Sequence, residues 1–121
     1  MNFWKQLLLV GTGGFLGTIL RWVLTLRLQS SPWDILATNL IGSFAIGVVL
    51  GWPGDGLQER YRLFLATGLC GGFTTFSTFS HQTLEMLRVG DLNSAGLNIA
   101  LSVSLCILGA WFGVALVQKL A

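Results

Sequence analysis

Apolar residues along this chain neither alternate nor form a single helical stripe; they run on unbroken over lengths that match a bilayer crossing. Four such stretches, at about 5–27, 33–52, 61–87 and 94–119, can each traverse roughly 30 Å of hydrocarbon, which takes about 20 helical residues. Turn formers separate them: Gln29-Ser30-Ser31-Pro32, then Pro53-Gly54-Asp55-Gly56, then Val89-Gly90-Asp91-Leu92-Asn93. The connections are too short to hold a domain outside the membrane. The pattern therefore predicts an all-α membrane protein, a single four-span domain over residues 1–121. Trp4, Trp33 and Trp52 fall at the ends of segments, where an amphipathic ring sits at headgroup level.

Composition excludes the soluble alternative. The 121 residues are 53% apolar and 10% charged, with a mean hydropathy of +0.72, whereas a soluble domain carries about 25% charged residues to face water. A net charge of +2 is too small and too scattered for nucleic acid. Cys70 and Cys106 both lie inside apolar segments, which argues against a secreted disulfide framework and for two free buried thiols. The first apolar stretch runs on to about Leu26 with no small-x-small cleavage site, so it reads as a retained span and not a signal peptide.

Helices in lipid gain nothing from hydrophobic association and need close backbone approach instead. Gly13 and Gly17, then Ser43, Gly47 and Gly51, then Gly109 and Gly113 repeat at four-residue spacing, each set giving one smooth helix face. Four spans place both termini and the second loop on one side, with Lys5, Arg60, Arg62 and Lys119; Arg21, Arg27 and Arg88 fall on the other. Four cations against three is a weak orienting bias. A chain so balanced inserts either way up, and two inverted copies can pair about an axis in the membrane plane, with a site at the midplane.

The third segment carries unusual chemistry. Adjacent glycines Gly71 and Gly72 followed by Phe73-Thr74-Thr75-Phe76-Ser77-Thr78-Phe79-Ser80 are poor material for an uninterrupted helix, and a break is expected near Gly71 to Thr75. Unwound backbone at membrane depth survives only beside protein or a cavity, and its freed carbonyls suit a hard cation; alternatively the glycines only let helices cross closely. Phe73, Phe76 and Phe79 recur every three residues. Their ring edges, which are positive, can line a route for a small anion, or the rings can pack as ordinary aromatics. Thr74, Ser77 and Ser80 share the same spacing.

Two more polar features lie at depth: Asn39 in the second span, and the stripe Asn98, Ser102 and Cys106 on the fourth. Each serves either interhelical hydrogen bonding or a desolvated anion. Arg21, near the end of the first span, either draws anions to a vestibule or snorkels to headgroups. Asp34, Asp55, Glu59, Glu85 and Asp91 all map to ends or loops, leaving no carboxylate at depth for proton coupling. His81 beside Ser80 is too close in sequence for a convincing catalytic dyad, so an enzyme is not expected.

The run Gly71-Gly72-Phe73-Thr74-Thr75-Phe76-Ser77-Thr78-Phe79-Ser80 resembles the signature of the Fluc/CrcB fluoride channels. Gly13-Gly14-Phe15-Leu16-Gly17 with Arg21-Trp22, and Asn39-Leu40-Ile41-Gly42-Ser43, resemble that family's first- and second-span motifs. The likeness covers essentially the whole chain in order. It implies a passive, fluoride-selective channel in a bacterial inner or plasma membrane, multi-pass, exporting cytoplasmic fluoride. The expected assembly is an antiparallel dual-topology homodimer whose third helix is broken mid-membrane, with two pores and a structural Na+ on the dimer axis. On this resemblance Phe76 and Phe79 are the fluoride-facing rings and Asn39 the nearby amide donor. Ser77, Ser80 and Ser102 are track hydroxyls, Arg21 the vestibule arginine, and Gly71 and Thr74 the backbone carbonyl ligands of sodium. The fourth span matches less well: Asn98, Cys106 and Ala110 stand where a tyrosine and further hydroxyls are expected. Gln82 occupies a place where many relatives have an acid, with Glu85 one turn later. The alternatives are a small dual-topology multidrug-type exporter, which lacks its carboxylate here, and a structural subunit of a larger membrane complex.

Overall fold

The computed structural model describes residues 1–28, 32–53 and 57–120; the turns expected at 29–32 and 53–56 fall largely outside them. The described residues form helices and no strands. Helix α1 spans Phe3–Arg27 and α2 spans Asp34–Leu50. A third helical path opens with a short turn, α3 (Glu59–Arg62), continues as a π-helix over Leu63–Cys70, and closes with α4 (Gly71–Phe73). After Thr74 and Thr75 the chain re-enters a helix, α5 (Phe76–Arg88), and α6 (Leu92–Leu120) completes the bundle. Among the described residues, α1 and α6 are the two helices both long and apolar enough to cross a membrane unaided; α2 is apolar but has 17 residues.

The helix ends obey local chemistry. Asn2 accepts a hydrogen bond from the Lys5 amide at 2.9 Å and caps α1, satisfying one of the donors left over at a helix start. Gly90, at φ +81°, ends α5 in the left-handed region open to glycine, while the Asp91 amide bonds back to the Met86 carbonyl at 2.9 Å. Asp91 then accepts from the Ser94 amide at 3.1 Å at the start of α6. These bonds to Ser94 hold its exposed carboxyl below the ordinary aspartate range.

Packing inverts the pattern of a soluble protein. Phe3, Trp4, Phe15, Trp22, Trp111 and Phe112 all face outward, whereas the largest fully buried side chains among the described residues are Asn98 and Thr38, at 1% and 0% exposure. An apolar outside around a small, partly polar inside is what lipid solvent selects, because lipid costs nothing to meet an exposed Leu but leaves every unpaired polar group unsatisfied. Small residues draw the helices together in two principal pairs, α1 against the π-helix and α4, and α2 against α6. Gly13 and Gly68 face one another, and a methyl on Gly68 would stand 2.9 Å from the Gly13 Cα. In the second pair a methyl on Gly113 would overlap the Phe44 carbonyl, and one on Gly47 that of Ala110.

This packing separates glycines that tolerate a side chain from those that do not. Gly113→Val and Gly13→Val are each expected to lower the thermal unfolding midpoint by an amount equivalent to about 1–3 kcal/mol, the usual cost of overpacking. Gly11→Ala, with nothing within 4 Å of the added methyl, is expected to leave it unchanged or raised. Midpoints in detergent micelles check the contrast.

Candidate functional site

The break between α4 and α5 is confined to two residues. Thr74 (φ −87°, ψ 155°) and Thr75 (φ −150°, ψ 116°) are extended, while Gly71 and Gly72, expected to take part in the unwinding, remain helical. Three side chains decide how the exposed backbone is satisfied. Asn39, projecting from α2, pairs with Thr75 at both ends of its amide: Oδ1 accepts from the Thr75 N–H at 2.8 Å, and Nδ2 donates to the Thr75 carbonyl at 3.1 Å. Thr75 in turn caps α5, its Oγ1 accepting from the Thr78 N–H at 3.2 Å. From α1, the Arg21 Nε donates to the Gly72 carbonyl at 3.2 Å.

The carbonyls affected follow from helix arithmetic. In an uninterrupted helix the Thr75 N–H would serve the carbonyl four residues back, that of Gly71, and the Thr78 N–H would serve that of Thr74. Both amides have gone to side chains instead. Gly71 and Thr74 thus lose their helical partners, while Gly72 gains Arg21. Gly71 is exposed, with no protein atom nearer than 3.8 Å to where a methyl would sit, so space lies open beside it. Neutral carbonyl oxygens suit a hard cation such as Na+, but one chain brings only a few from the break, since by the same count the Phe73 carbonyl is the one other to lose its helical donor without gaining Arg21. Among the described residues no group of three or more His, Cys, Asp and Glu side chains offers another metal centre.

A groove of about 480 Å³ opens along the break. Asn39, Gly71, Thr74, Phe76, Phe79 and Ser102 all line it, so α2, the broken helix and α6 each contribute. Phe76 is 78% exposed, and its ring stands 5.4 Å from that of Phe79, tilted by 45°. Ser77, Ser80 and Arg21, grouped with these residues in the sequence reading, do not line the groove. Ser77 is exposed beside the Thr75 hydroxyl, at 3.2 Å, and Ser80 donates back to the Phe76 carbonyl at 2.9 Å, a local helix bond. Arg21 uses its Nε N–H to fasten the end of α4.

Behind the groove runs a buried polar chain. Ser102 Oγ donates to Asn98 Oδ1 at 3.3 Å, Asn98 Nδ2 donates to Thr83 Oγ1 at 3.0 Å, and Thr83 Oγ1 donates to the Phe79 carbonyl at 2.8 Å. The chain ties α6 to α5 and holds Phe79 at the groove wall. Gln82 Nε2 donates to Asp34 Oδ1 at 2.8 Å across α5 and α2, and its own Oε1 is buried without a partner among the described residues. Sequence reasoning passed over Thr75 and Thr83. The Thr75 signal was present, a hydroxyl residue ahead of a helical run as an N-cap requires. For Thr83 the clue was a lone hydroxyl at four-residue spacing from Phe79, which names no partner on another helix.

Comparison with known proteins adds independent findings. A family model described as CrcB-like protein, Camphor Resistance (CrcB), matches residues 8–114. A Campylobacter jejuni protein named Fluoride-specific ion channel FluC is 44% identical over 116 residues, 90% of this chain and 94% of its own. Proteins of the same name from Elusimicrobium minutum and Geobacter sulfurreducens are 40% and 37% identical, covering 93% and 94% of this chain and 94% and 98% of their own.

The Asn39 pairing yields a direct test. Asn39→Leu is expected to leave the Thr75 N–H and carbonyl unpaired, costing about 1–3 kcal/mol for each orphaned group. Asn39→Asp, which keeps the acceptor but sets a second, charged oxygen against the Thr75 carbonyl, is expected to be no more stable than Leu. Unfolding midpoints of the three proteins in one detergent, at neutral pH, measure the order.

Proposed function

Because the chain belongs to the CrcB-like family, whose matched relatives are named as fluoride-specific ion channels and not as enzymes, we propose that it is a passive fluoride channel of a bacterial inner membrane that lets cytoplasmic fluoride escape. The observation that carries the reading is the groove at the break, where exposed Phe76, Phe79 and the Asn39 amide gather on one wall without a fixed charge. Fluoride is small and holds its water tightly. A route must replace that water with several compact hydrogen donors, each too weak to trap the ion. Ring edges supply partial positive charge. Asn39 spends one Nδ2 hydrogen on Thr75 and keeps the other. Ser102 points its hydroxyl hydrogen at Asn98 in this arrangement, and rotation about Cβ–Oγ turns it toward the groove. Neutral HF crosses lipid into the cell and dissociates, and a leak selective for the anion then returns it down its gradient.

We further infer that the working unit is an antiparallel pair of four-span chains, the third span broken near the bilayer midplane. Near-balanced cations support either insertion. The groove is bounded by one chain on one side only, and the Gly71 and Thr74 carbonyls give half of a cation cage. Two inverted copies bring four such oxygens to one axis, a donor set that fits a structural Na+. When bound, that ion supplies positive charge that locks the two breaks together. Arg21 and Asn39 contribute on the protein side by taking up the Gly72 and Thr75 groups, so that Gly71 and Thr74 remain for it. Ser77 and Ser80 sit on α5 outside the single-chain groove, where a partner copy makes them part of the ion's route.

Purified protein in liposomes loaded with fluoride is expected to release it without a proton gradient, while chloride-loaded vesicles stay full. Efflux coupled to protons would instead mark an exporter, and no flux with co-purified foreign subunits a structural role. Phe76→Ile and Phe79→Ile are each expected to slow fluoride efflux by about tenfold or more, equivalent to losing roughly 1.4 kcal/mol of barrier stabilisation. Unchanged flux in both would remove the rings from the mechanism. Separately, a C-terminal tag is expected to react with impermeant reagent from both sides of the membrane; labelling from one side alone contradicts the antiparallel pair.

A further inference from the structure

The groove wall contains two groups that the fluoride reading does not use. Cys106 on α6 and Cys70 at the end of the π-helix both line it, and both are free thiols. They differ in access. Cys106 is half-buried and stands one helical turn beyond Ser102, whereas Cys70 is 4% exposed, and among the described residues its sulfur makes no hydrogen bond. The apolar part of the wall, Ile46, Val103 and Ile107, admits neutral solutes more readily than charged ones. Two cysteines from different helices, both lining one cavity among neutral neighbours, bring a soft donor set that suits a thiophilic metal ion and not the hard sodium ion.

Resting on the assignment of this groove as the fluoride route, we propose that it is also a soft-metal site in which Cys106 captures the ion, Cys70 supplies the second sulfur, and occupancy closes the channel. Mercuric chloride is a suitable probe because it is neutral and enters an apolar groove. Cys106 forms the first sulfur–mercury bond, releasing its thiol proton and one chloride to water. Cys70 displaces the second chloride with loss of its own proton, leaving a mercury bis-thiolate and no change of oxidation state. The bound metal sits among Asn39, Thr74 and the two phenylalanines, where it obstructs the passage.

Fluoride efflux from proteoliposomes, each variant scored against its own rate before mercury, tests the proposal. Wild type is expected to lose efflux in mercuric chloride and to stay blocked through washing until dithiothreitol restores it. Cys106→Ser is expected to keep its efflux in mercury, and Cys70→Ser to be blocked but to recover on washing alone. The Cys70→Ser, Cys106→Ser double variant reports any effect of mercury on the bilayer and is expected to show none. An unblocked wild type, a Cys106→Ser protein blocked like wild type, a Cys70→Ser block that resists washing, or a blocked double variant each overturns the two-thiol site. A second readout does not depend on conduction: intact-mass measurement of the purified wild type is expected to find one mercury per chain, held with loss of both thiol protons, and two would overturn the shared site. Absence of efflux before any mercury is added would count against the channel reading alone.

Discussion

A helix that stops and restarts inside an apolar bundle strands backbone donors and acceptors among apolar neighbours, and the structure depends on how that deficit is met. Here it is met by side chains from three directions. Asn39 from α2 takes both polar groups of Thr75, Thr75 itself takes the amide of Thr78, and Arg21 from α1 takes the carbonyl of Gly72. Each bond is modest when water competes, but its loss in a dry interior costs the full desolvation of the orphaned partner. The same bonds select which carbonyls stay open. Satisfying Thr75 and Thr78 elsewhere is what frees Gly71 and Thr74, so the interruption is an assignment of lone pairs and not a loss of order.

The close helix approach serves the same end. A methyl on Gly42 would collide with the Thr74 side chain, and one on Gly72 would stand 2.5 Å from the Gly14 carbonyl. Small residues therefore flank the break on both sides and bring α1 and α2 near enough for an arginine and an asparagine to reach it. Elsewhere α2 and α6 press together through Gly47 and Gly113. The groove persists between these close-packed pairs because the broken helix presents rings and hydroxyls there in place of another glycine face.

The sequence made much of this legible, for stated reasons. Lengths of apolar run, turn dipeptides and four-residue glycine spacing are local patterns, and the ends of α1, α2 and α6 lie within two residues of the apolar runs. Asn39, Phe76 and Phe79 stand out as polar or aromatic features that read either as ordinary packing and hydrogen bonding or as an anion route, and all three line one groove. What stayed hidden were the pairings between segments. That Arg21 seeks a carbonyl 51 positions away, or that Asn98 bonds Thr83, depends on the relative rotation of helices, about which a single sequence is silent. The π-helical winding of Leu63–Cys70 was also unforeseen, since its composition is that of any apolar helix. The break spans fewer residues than the glycines suggest for a related reason: glycine lowers helix propensity, yet Gly72 packs closely against Gly14 and stays helical with Gly71 beside it, and the departure falls where Asn39 meets Thr75.

Gln82 shows how the polar interior is constrained. Its Nε2 meets Asp34, but its Oε1 is buried and unpartnered among the described residues. Exchanging the two ends of the amide would not cure this: it would set Oε1 against the Asp34 carboxylate and leave the amide nitrogen unpaired instead. The acid sits in the first turn of α2, where the unpaired amides of a helix start favour negative charge, and the Ile35 N–H reaches its Oδ1 at 2.7 Å. An acid in place of Gln82 would face Asp34 with a second negative charge and no donor between them. Given this carboxylate at the head of α2, an amide is the side chain of that size that donates to it, and the neutral residue at position 82 follows from its neighbour.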